Sequence, residues 1–225
     1  MRMHHQSLGL NTYARRKTRE EGLRNIEYAQ ADILNLSAIG RTFDRIEAVG
    51  VLHHLADPKA GWRVLLSLLA PNGTMRVGLY SEIARRPIVE ARAIVAERGY
   101  QPTAEGIRAL RQTIICEKDE PRWKSLVQTI DFYSTSGCRD MFFNVMEHRL
   151  TTSAIQSFLD EQGFAFLGFE LDPKIIEQFR QQNPAAGALT NLAAWAAFET
   201  ANPQTFLSMY VFSICKKGAG VAGPE

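Results

Sequence analysis

The 225-residue sequence has few cysteines, no long apolar run and little net charge. Its three cysteines, Cys116, Cys138 and Cys215, lie far apart and form no Cys-x-x-Cys pair, so neither a zinc site nor a disulfide framework is indicated. No apolar run approaches the ~18 residues of a membrane-spanning helix. The first residues lack the apolar region of a signal peptide. These absences predict a cytoplasmic protein with no membrane partner.

Charge and composition are those of an ordinary globular protein. The formal net charge of +2 is too small to indicate a nucleic-acid partner. Hydrophobic residues make up 45% of the chain and charged residues 22%, which is enough apolar material for a sizeable core.

The most informative pattern is a strand, a turn, a helix and a second strand. Residues 43–49 read as a buried strand, and His53 and His54 follow it in a turn. Asp57 is a predicted helix cap with Pro58 at the first helical position. Residues 74–80 alternate as the next strand, after a predicted turn at 71–73. This order is a βαβ unit, and such sheets bind ligands at the turn after the first strand.

The remaining chain divides by its pattern. A short strand is predicted at 26–30 and a helix at 121–127. After residue 150, the pattern predicts a helix capped by Thr152, strands at 166–171 and 206–215, and helices at 173–182 and 190–199. The predicted divisions are a partial cofactor-binding core at 7–81, a helical insertion or substrate cap at 82–149, the rest of the core at 150–217, and a disordered tail at 218–225.

Two motifs resemble class I S-adenosylmethionine-dependent methyltransferases. The first is Tyr28-Ala-Gln-Ala-Asp32 followed by Ile33-Leu34, and the second is Val49-Gly-Val-Leu-His-His-Leu55. The run Leu68-Leu-Ala-Pro-Asn-Gly-Thr74 agrees with the same family. Residues 131–149 are similar to the catalytic part of bacterial methyltransferases fused to tetratricopeptide repeats. The resemblance implies an α/β, Rossmann-like sheet, truncated at the N-terminus, with a helical insertion after the family's fifth strand.

The resemblance also implies S-adenosyl-L-methionine as the cofactor. An acidic side chain at Asp32 would accept a hydrogen bond from the adenine amino group, and Ile33 would cover the ring. The methionyl part would pass the histidine turn, so the implied cofactor-binding residues are Asp32, Ile33, Gly50, Val51, Leu52 and His53.

Methyl transfer requires that the acceptor be positioned, and deprotonated where it carries a proton. The candidates for this catalytic role are His54, Tyr80, Tyr133 and His148. Arg139 and Asp140 are candidates for substrate binding. The acceptor itself, a small molecule or a protein, is not indicated by any residue.

Each candidate also has a purely structural interpretation. Asp32 could be a helix cap or turn carboxylate. His53 and His54 could pack at the strand end; neighbouring histidines point in different directions and have no nearby partner, so no metal site is predicted. Arg139 and Asp140 could be an ion pair that fixes a loop.

The family's glycine-rich turn and its ribose-binding acid have no counterpart in the sequence. The acid would fall near residues 4–6, where none is acidic. In the family's strand order, 3-2-1-4-5-7-6, the strand at 26–30 then lacks its neighbours. An apolar sheet edge is also exposed, which predicts possible self-association.

Three functions follow in order of support. The first is a methyltransferase whose cofactor binding is impaired by the missing turn. The second is a non-catalytic methyltransferase-fold fragment or interaction module. A nicotinamide-dependent enzyme is third, because its Gly-x-Gly-x-x-Gly turn is absent as well.

Overall fold

The computed structural model describes residues 8–144 and 146–219, and a mixed sheet is the centre of the fold. Its strands are β1 (Phe43–Val49), β2 (Leu69–Ser81), β3 (Arg149–Leu150), β4 (Phe164–Phe169) and β5 (Tyr210–Lys216). The main path is β1-β2-β5-β4, and β3 pairs with the end of β2. β1 is parallel to β2, whereas β5 is antiparallel to both of its neighbours. This is the expected Rossmann-like α/β sheet.

The helices are α1 (Leu8–Glu20), α2 (Pro58–Ser67), α3 (Arg86–Arg98), α4 (Ala104–Cys116), α5 (Ile130–Tyr133), α6 (Thr135–Phe143), α7 (Thr152–Gln162), α8 (Pro173–Gln182) and α9 (Leu192–Ala201). Among the described residues, none of these helices is both long and apolar enough to cross a membrane.

The apolar face of the sheet is covered by α2 and α7. Trp62 of α2 stacks on Phe158 of α7, with ring centroids 4.3 Å apart, and it lies 6.0 Å from Phe212 of β5. Ile46 and Ala48 of β1 belong to the same buried cluster. Because side chains alternate along a strand, the residues between them point to the opposite face.

That opposite face carries charged side chains and is defined here as the charged face: Arg45, Glu47, Arg76 and Glu170. Glu47 is in register with Arg76 across β1 and β2. The Arg76 guanidinium donates from two nitrogens to Glu170, at 2.7 to 2.9 Å, and lies 3.9 Å from Glu47. These ion pairs are half-exposed. A sheet that is covered on both faces would carry apolar residues at the same positions.

Several local predictions are confirmed. The strand at 43–49 and the helix at 173–182 have the expected bounds. Asp57 caps α2, and its carboxylate accepts a hydrogen bond of 3.0 Å from the Ala60 amide. Both helices follow from local chemistry, since a side-chain oxygen just before a helix that begins with proline accepts a hydrogen bond from one of the unpaired amides of the first turn.

The strand predicted at 26–30 is wrong. No strand forms there, and the Tyr28 hydroxyl instead contacts α1 at Thr18 and the Ala14 carbonyl. The backbone groups of a strand must form hydrogen bonds with a neighbouring strand. Within the described residues, no strand lies beside 26–30.

Other boundaries shift by a few residues. The strands predicted at 166–171 and 206–215 are β4 and β5, and the predicted helix at 121–127 is only a short 3₁₀ turn. Thr151, not Thr152, caps α7, and Asn191 caps α9. The predicted turn at 71–73 lies inside β2 as an irregularity, because the register moves from Phe43↔Leu69 to Arg45↔Thr74.

The insertion between β2 and β3 has its own apolar cluster. Ile88 of α3, Ile107 and Leu110 of α4, and Phe142 of α6 are buried there with Trp123. The division at 82–149 stays a prediction. Residues 220–225 of the expected tail lie outside the described residues, as do residues 4–6.

Glu199 of α9 ties the end of β2 to the start of β5. Its buried carboxylate accepts hydrogen bonds from the Ser81 hydroxyl and, at 2.5 Å, from the Tyr210 hydroxyl. Ser81 Oγ in turn accepts from the amides of Ile83 and Ala84, where the insertion begins. Burial raises the pKa of Glu199, although the two hydroxyl donors act in the other direction.

Replacement of Glu199 by Gln should stabilise the fold relative to wild type as the pH rises. The pKa of Glu199 is higher in the folded protein than the value of 4.5 in the unfolded chain. Its carboxyl therefore contributes most to the free energy of unfolding below pH 4.5, and that contribution is lost as the pH rises through the folded pKa. Urea unfolding at acidic and at alkaline pH would measure the difference. Glu199→Ala should cost ~1–3 kcal/mol at either pH, because it leaves two buried hydroxyls unpaired. A Gln variant whose stability relative to wild type does not change with pH would contradict the assignment.

Candidate functional site

The candidate site lies at the carboxyl ends of β1 and β2. Gly50 follows β1 with a φ of 74°, which L side chains rarely adopt, and a 3₁₀ turn at Leu52–His54 comes next. A Cβ on Gly50 would meet only the Met209 methyl group, at 4.0 Å. The backbone of this turn is therefore open to close approach, and Tyr80 stands beside it at the end of β2.

The Tyr80 ring is held on both faces. Its centroid lies 3.9 Å from that of His53, with planes 28° apart, and 3.7 Å from the Arg85 guanidinium carbon. Two groups this close to one ring must occupy opposite faces. Stacking on one side and a cation–π contact on the other thus fix the ring.

A buried ion cluster supports this stack. Glu147 accepts hydrogen bonds from Arg85, at 3.1 and 2.5 Å, and from Arg92, at 2.8 Å. The Glu147 and Arg85 side chains are only 2% and 7% exposed. Burial acts to raise the pKa of the Glu147 carboxyl, but the two arginines outweigh it and the pKa is lowered. Glu147 is therefore an anion that positions Arg85, and a poor proton acceptor.

The residues on either side of Glu147 contact the histidine turn. The Met146 carbonyl accepts a hydrogen bond of 3.3 Å from His54 Nδ1, and the His148 amide donates one of 2.9 Å to the His53 carbonyl. The ion cluster thus holds the strand-like segment 146–148 against the turn.

The two histidines share one proton between their Nε2 atoms, which are 3.1 Å apart. Burial, and next the repulsion from the positive charge that His54 carries when it is protonated, lower the pKa of His53 to about 3, so His53 is neutral. Since His54 Nδ1 donates to a carbonyl, neutral His54 accepts at Nε2 from His53. As a general base, His54 would first have to release this hydrogen bond.

Tyr80 is better suited to donating a hydrogen bond than to removing a proton. Burial raises its pKa, and the positive charge of Arg85 offsets only part of that shift. The negative charges of Glu147 and Asp140 also act to raise the pKa of Tyr80.

The predicted cofactor residues are split between surface and core. Asp32 is exposed and caps the 3₁₀ segment Ile33–Ile39, accepting a hydrogen bond of 2.9 Å from the Leu34 amide. Ile33, Val51, Leu52 and His53 are buried. Ile33 and Leu55 both lie against Gly61, so Asp32 is next to the histidine turn. The structural interpretation of Asp32 as a cap is confirmed, and its cofactor role stays a prediction.

The other predicted residues lie farther along the insertion. Tyr133 is 58% exposed, and its hydroxyl donates to the Val127 carbonyl at 2.9 Å. Arg139 and the side chain of His148 are exposed. The structure thus brings together His53, His54 and Tyr80. Asp140 is exposed, and Tyr133 contacts the insertion.

Sequence reasoning missed Arg85, Arg92 and Glu147. Glu147 lies inside the segment 131–149 that carries the resemblance to repeat-fused methyltransferases, but its partners are 62 and 55 residues away in the chain. An ion pair over such a separation leaves no local pattern.

The chain resembles known methyltransferases in sequence and in fold. Residues 6–73 match a family model described as a methyltransferase domain. A Synechococcus protein of unknown function is 27% identical over 175 residues, which are 72% of this chain and 41% of that protein. Structures of PKMT2 from Rickettsia typhi, without and with AdoHcy, align over 97% of this chain with TM-scores of 0.72 and 0.73.

These two structures share 14% and 13% sequence identity with the chain, so they show the fold alone. The chain spans 44% of PKMT2, and less than half the length of the Synechococcus relative. Together with the family model, they confirm the predicted resemblance to class I methyltransferases. The predicted kinship with repeat-fused methyltransferases stays a prediction.

Glu147→Gln should destabilise the protein by ~3 kcal/mol, because it removes the charge that compensates two largely buried arginines. Chemical unfolding would measure the loss. Glu90→Gln removes the same charge from an exposed position on α3 and should cost less than ~0.5 kcal/mol. Equal losses in the two variants would show that the cluster does not support the site.

His53→Leu should flatten the pH dependence of stability on the acidic side. The pKa of His53 in the folded protein lies below the unfolded value of 6.5. The neutral histidine therefore contributes fully to the free energy of unfolding above pH 6.5, and that contribution is lost as the pH falls toward 3. The slope for one proton is about 1.4 kcal/mol per pH unit. Unfolding at several pH values between these limits would detect it; the same slope in wild type and variant would contradict a neutral, buried His53.

Proposed function

We propose that this chain, a relative of the class I methyltransferases, carries the acceptor side and one wall of the cofactor site of an S-adenosylmethionine-dependent methyltransferase. The observation that carries the proposal is the meeting of the Gly50 turn with the His53–Tyr80–Arg85 stack at one edge of the sheet. In parallel sheets of this class, ligands bind outside the carboxyl ends of the strands. AdoHcy is bound in one structure of PKMT2, which supports the same cofactor type for this fold.

The residues of the turn fit part of such a cofactor. Gly50 has open space where other residues carry a Cβ, so a ligand can approach its backbone. The exposed Asp32 carboxylate uses one oxygen for its cap and has further acceptor capacity, which suits an adenine amino group. S-adenosylmethionine supplies an electrophilic methyl group when bound.

On the acceptor side, the main role of the chain is to position the methyl acceptor. Tyr80 offers a protonated hydroxyl on a ring fixed from both faces, and Arg85 adds a positive charge beside it. His54 is engaged at both ring nitrogens. This arrangement favours an acceptor whose nucleophilic atom is unprotonated at the working pH, or one that loses its proton to solvent.

We also propose that cofactor binding by these 225 residues is weak. The sequence offers neither the glycine-rich turn nor the acid that holds the ribose hydroxyls. The residues that remain, Asp32 and the turn at 50–55, could contact only the adenine and methionyl ends of S-adenosylmethionine.

Calorimetric titration of the 225-residue chain with S-adenosylmethionine tests this proposal. We expect a dissociation constant in the range of about 10 µM to 1 mM, equivalent to roughly −4 to −7 kcal/mol. Asp32→Ser should weaken binding by about tenfold, because serine keeps the helix cap but cannot reach the adenine. Asp119→Ser, at an exposed position on the insertion, is the matched control and should change nothing.

Absence of heat and of saturation at millimolar cofactor would overturn the proposal. That result would favour the alternative function, a non-catalytic module of methyltransferase fold. Binding that is unaffected by Asp32→Ser would keep the cofactor but remove Asp32 from its site.

A further inference from the structure

A cavity of about 690 Å³ lies beside the candidate site, at the same edge of the sheet. β4 ends at Phe169 and β5 begins at Tyr210, and both points lie near the carboxyl end of β2, because β5 is antiparallel to its two neighbours. The lining comes from the end of β4, from α8 and from the segment that leads into β5. Met209 belongs to it, and its methyl group is also the nearest atom to a Cβ placed on Gly50. The cavity and the Gly50 turn therefore share one wall.

A β-bulge shapes the sheet at this cavity. The register between β4 and β5 shifts between Phe166 and Gly168, so Leu167 has no residue opposite it. Gly168 lines the cavity with a φ of 133°, a conformation that residues with a side chain rarely adopt. Bulges bend their strand and recur at the rims of sheets next to active sites. The backbone of β4 itself therefore forms this side of the cavity.

The cavity walls are mainly apolar. Three buried aromatic rings, among them Trp195, form part of the lining. Five half-buried aliphatic side chains form most of the rest: Leu171, Ile175, Ile176, Leu189 and Val211. Such a lining gains free energy when an apolar ligand displaces water from it.

Most polar side chains of the lining are already engaged within the protein. Both carboxylate oxygens of Glu170 accept hydrogen bonds from Arg76, and the Asp172 carboxylate caps α8. The Trp195 indole N–H and the Thr205 hydroxyl each donate to a backbone carbonyl. A ligand is therefore not needed to neutralise these charges or to pair these donors, which favours an uncharged, largely apolar ligand.

We propose that this cavity binds an uncharged, largely apolar small molecule, and that this molecule is the methyl acceptor. The volume lies within the range of about 300–1,000 Å³ of small-molecule pockets. Tyr80 follows Gly78 by two residues on the same face of β2, and the Met209 sulfur packs on Gly78. An acceptor with its apolar body in the cavity can thus extend its nucleophilic atom past Met209 toward Tyr80. Its role as acceptor rests on the proposed function, whereas the apolar site does not.

Fluorescence titration of the 225-residue chain with N-phenyl-1-naphthylamine, an uncharged apolar probe, tests the site. We expect saturable binding with a dissociation constant of about 1–50 µM. Ile175→Asp places a charge in the cavity wall, in the first turn of α8 where an acidic side chain suits the helix, and Val211→Phe fills the space. Each should weaken binding by about tenfold or more. Ile130→Asp, the same change on a side chain that is 88% exposed, is the control and should bind the probe as wild type does.

A second measurement locates the probe. In protein labelled with [methyl-¹³C]methionine, the probe should shift the Met209 signal and leave unchanged the signal of Met141, which lies in the apolar cluster of the insertion. Circular dichroism verifies that the variants are folded. Binding that does not saturate would overturn the site. Folded Ile175→Asp and Val211→Phe variants that bind as wild type would overturn it too, as would a Met209 signal that does not respond.

S-adenosylmethionine at millimolar concentration separates the site from the proposed function. The probe should stay bound, because cofactor and acceptor occupy neighbouring places. Displacement of the probe would overturn the acceptor role, since the cofactor itself would then use the cavity. A chain that binds the probe but shows no calorimetric response to S-adenosylmethionine would overturn the proposed function and the acceptor role with it, and the apolar site would stand.

Discussion

The structure depends on the last two residues of β2. Consecutive side chains of a strand point to opposite faces, so Tyr80 and Ser81 serve different parts of the molecule. Ser81 binds the buried Glu199 carboxylate and the first amides of the insertion. Tyr80 is clamped between His53 and Arg85. One end of one strand therefore joins the sheet, the insertion and the candidate site.

The ion cluster around Glu147 extends that junction. Arg85 is the residue before the first turn of α3 and Arg92 lies about two turns into that helix. Glu147, at the far end of the insertion, pairs with both. Breaking a buried carboxylate away from two guanidinium partners is costly, so the three side chains hold one another in fixed positions. It makes the position of the histidine turn depend on a segment nearly a hundred residues later in the chain.

Local chemistry explains what the sequence predicted well. β1 follows from buried apolar residues, Ile46 and Ala48, that alternate with polar or half-buried ones. The start of α2 follows from an Asp-Pro pair. Both signals act within a few residues. The segment 26–30 has the same kind of local pattern but no strand to pair with, so it forms none. At the site, the histidine turn was found from its motif, whereas Arg85, Arg92 and Glu147 could not be, because long-range pairing leaves no spacing to read.

Met209 gives the site a feature of a different kind. Its methyl group is the nearest atom above Gly50, and its sulfur would lie 2.8 Å from a Cβ placed on Gly78. A thioether on an unbranched chain changes rotamer at low cost. The side chain that borders the open space at Gly50 is therefore an adaptable one, and a change of its rotamer would reshape that space without moving any strand of the sheet.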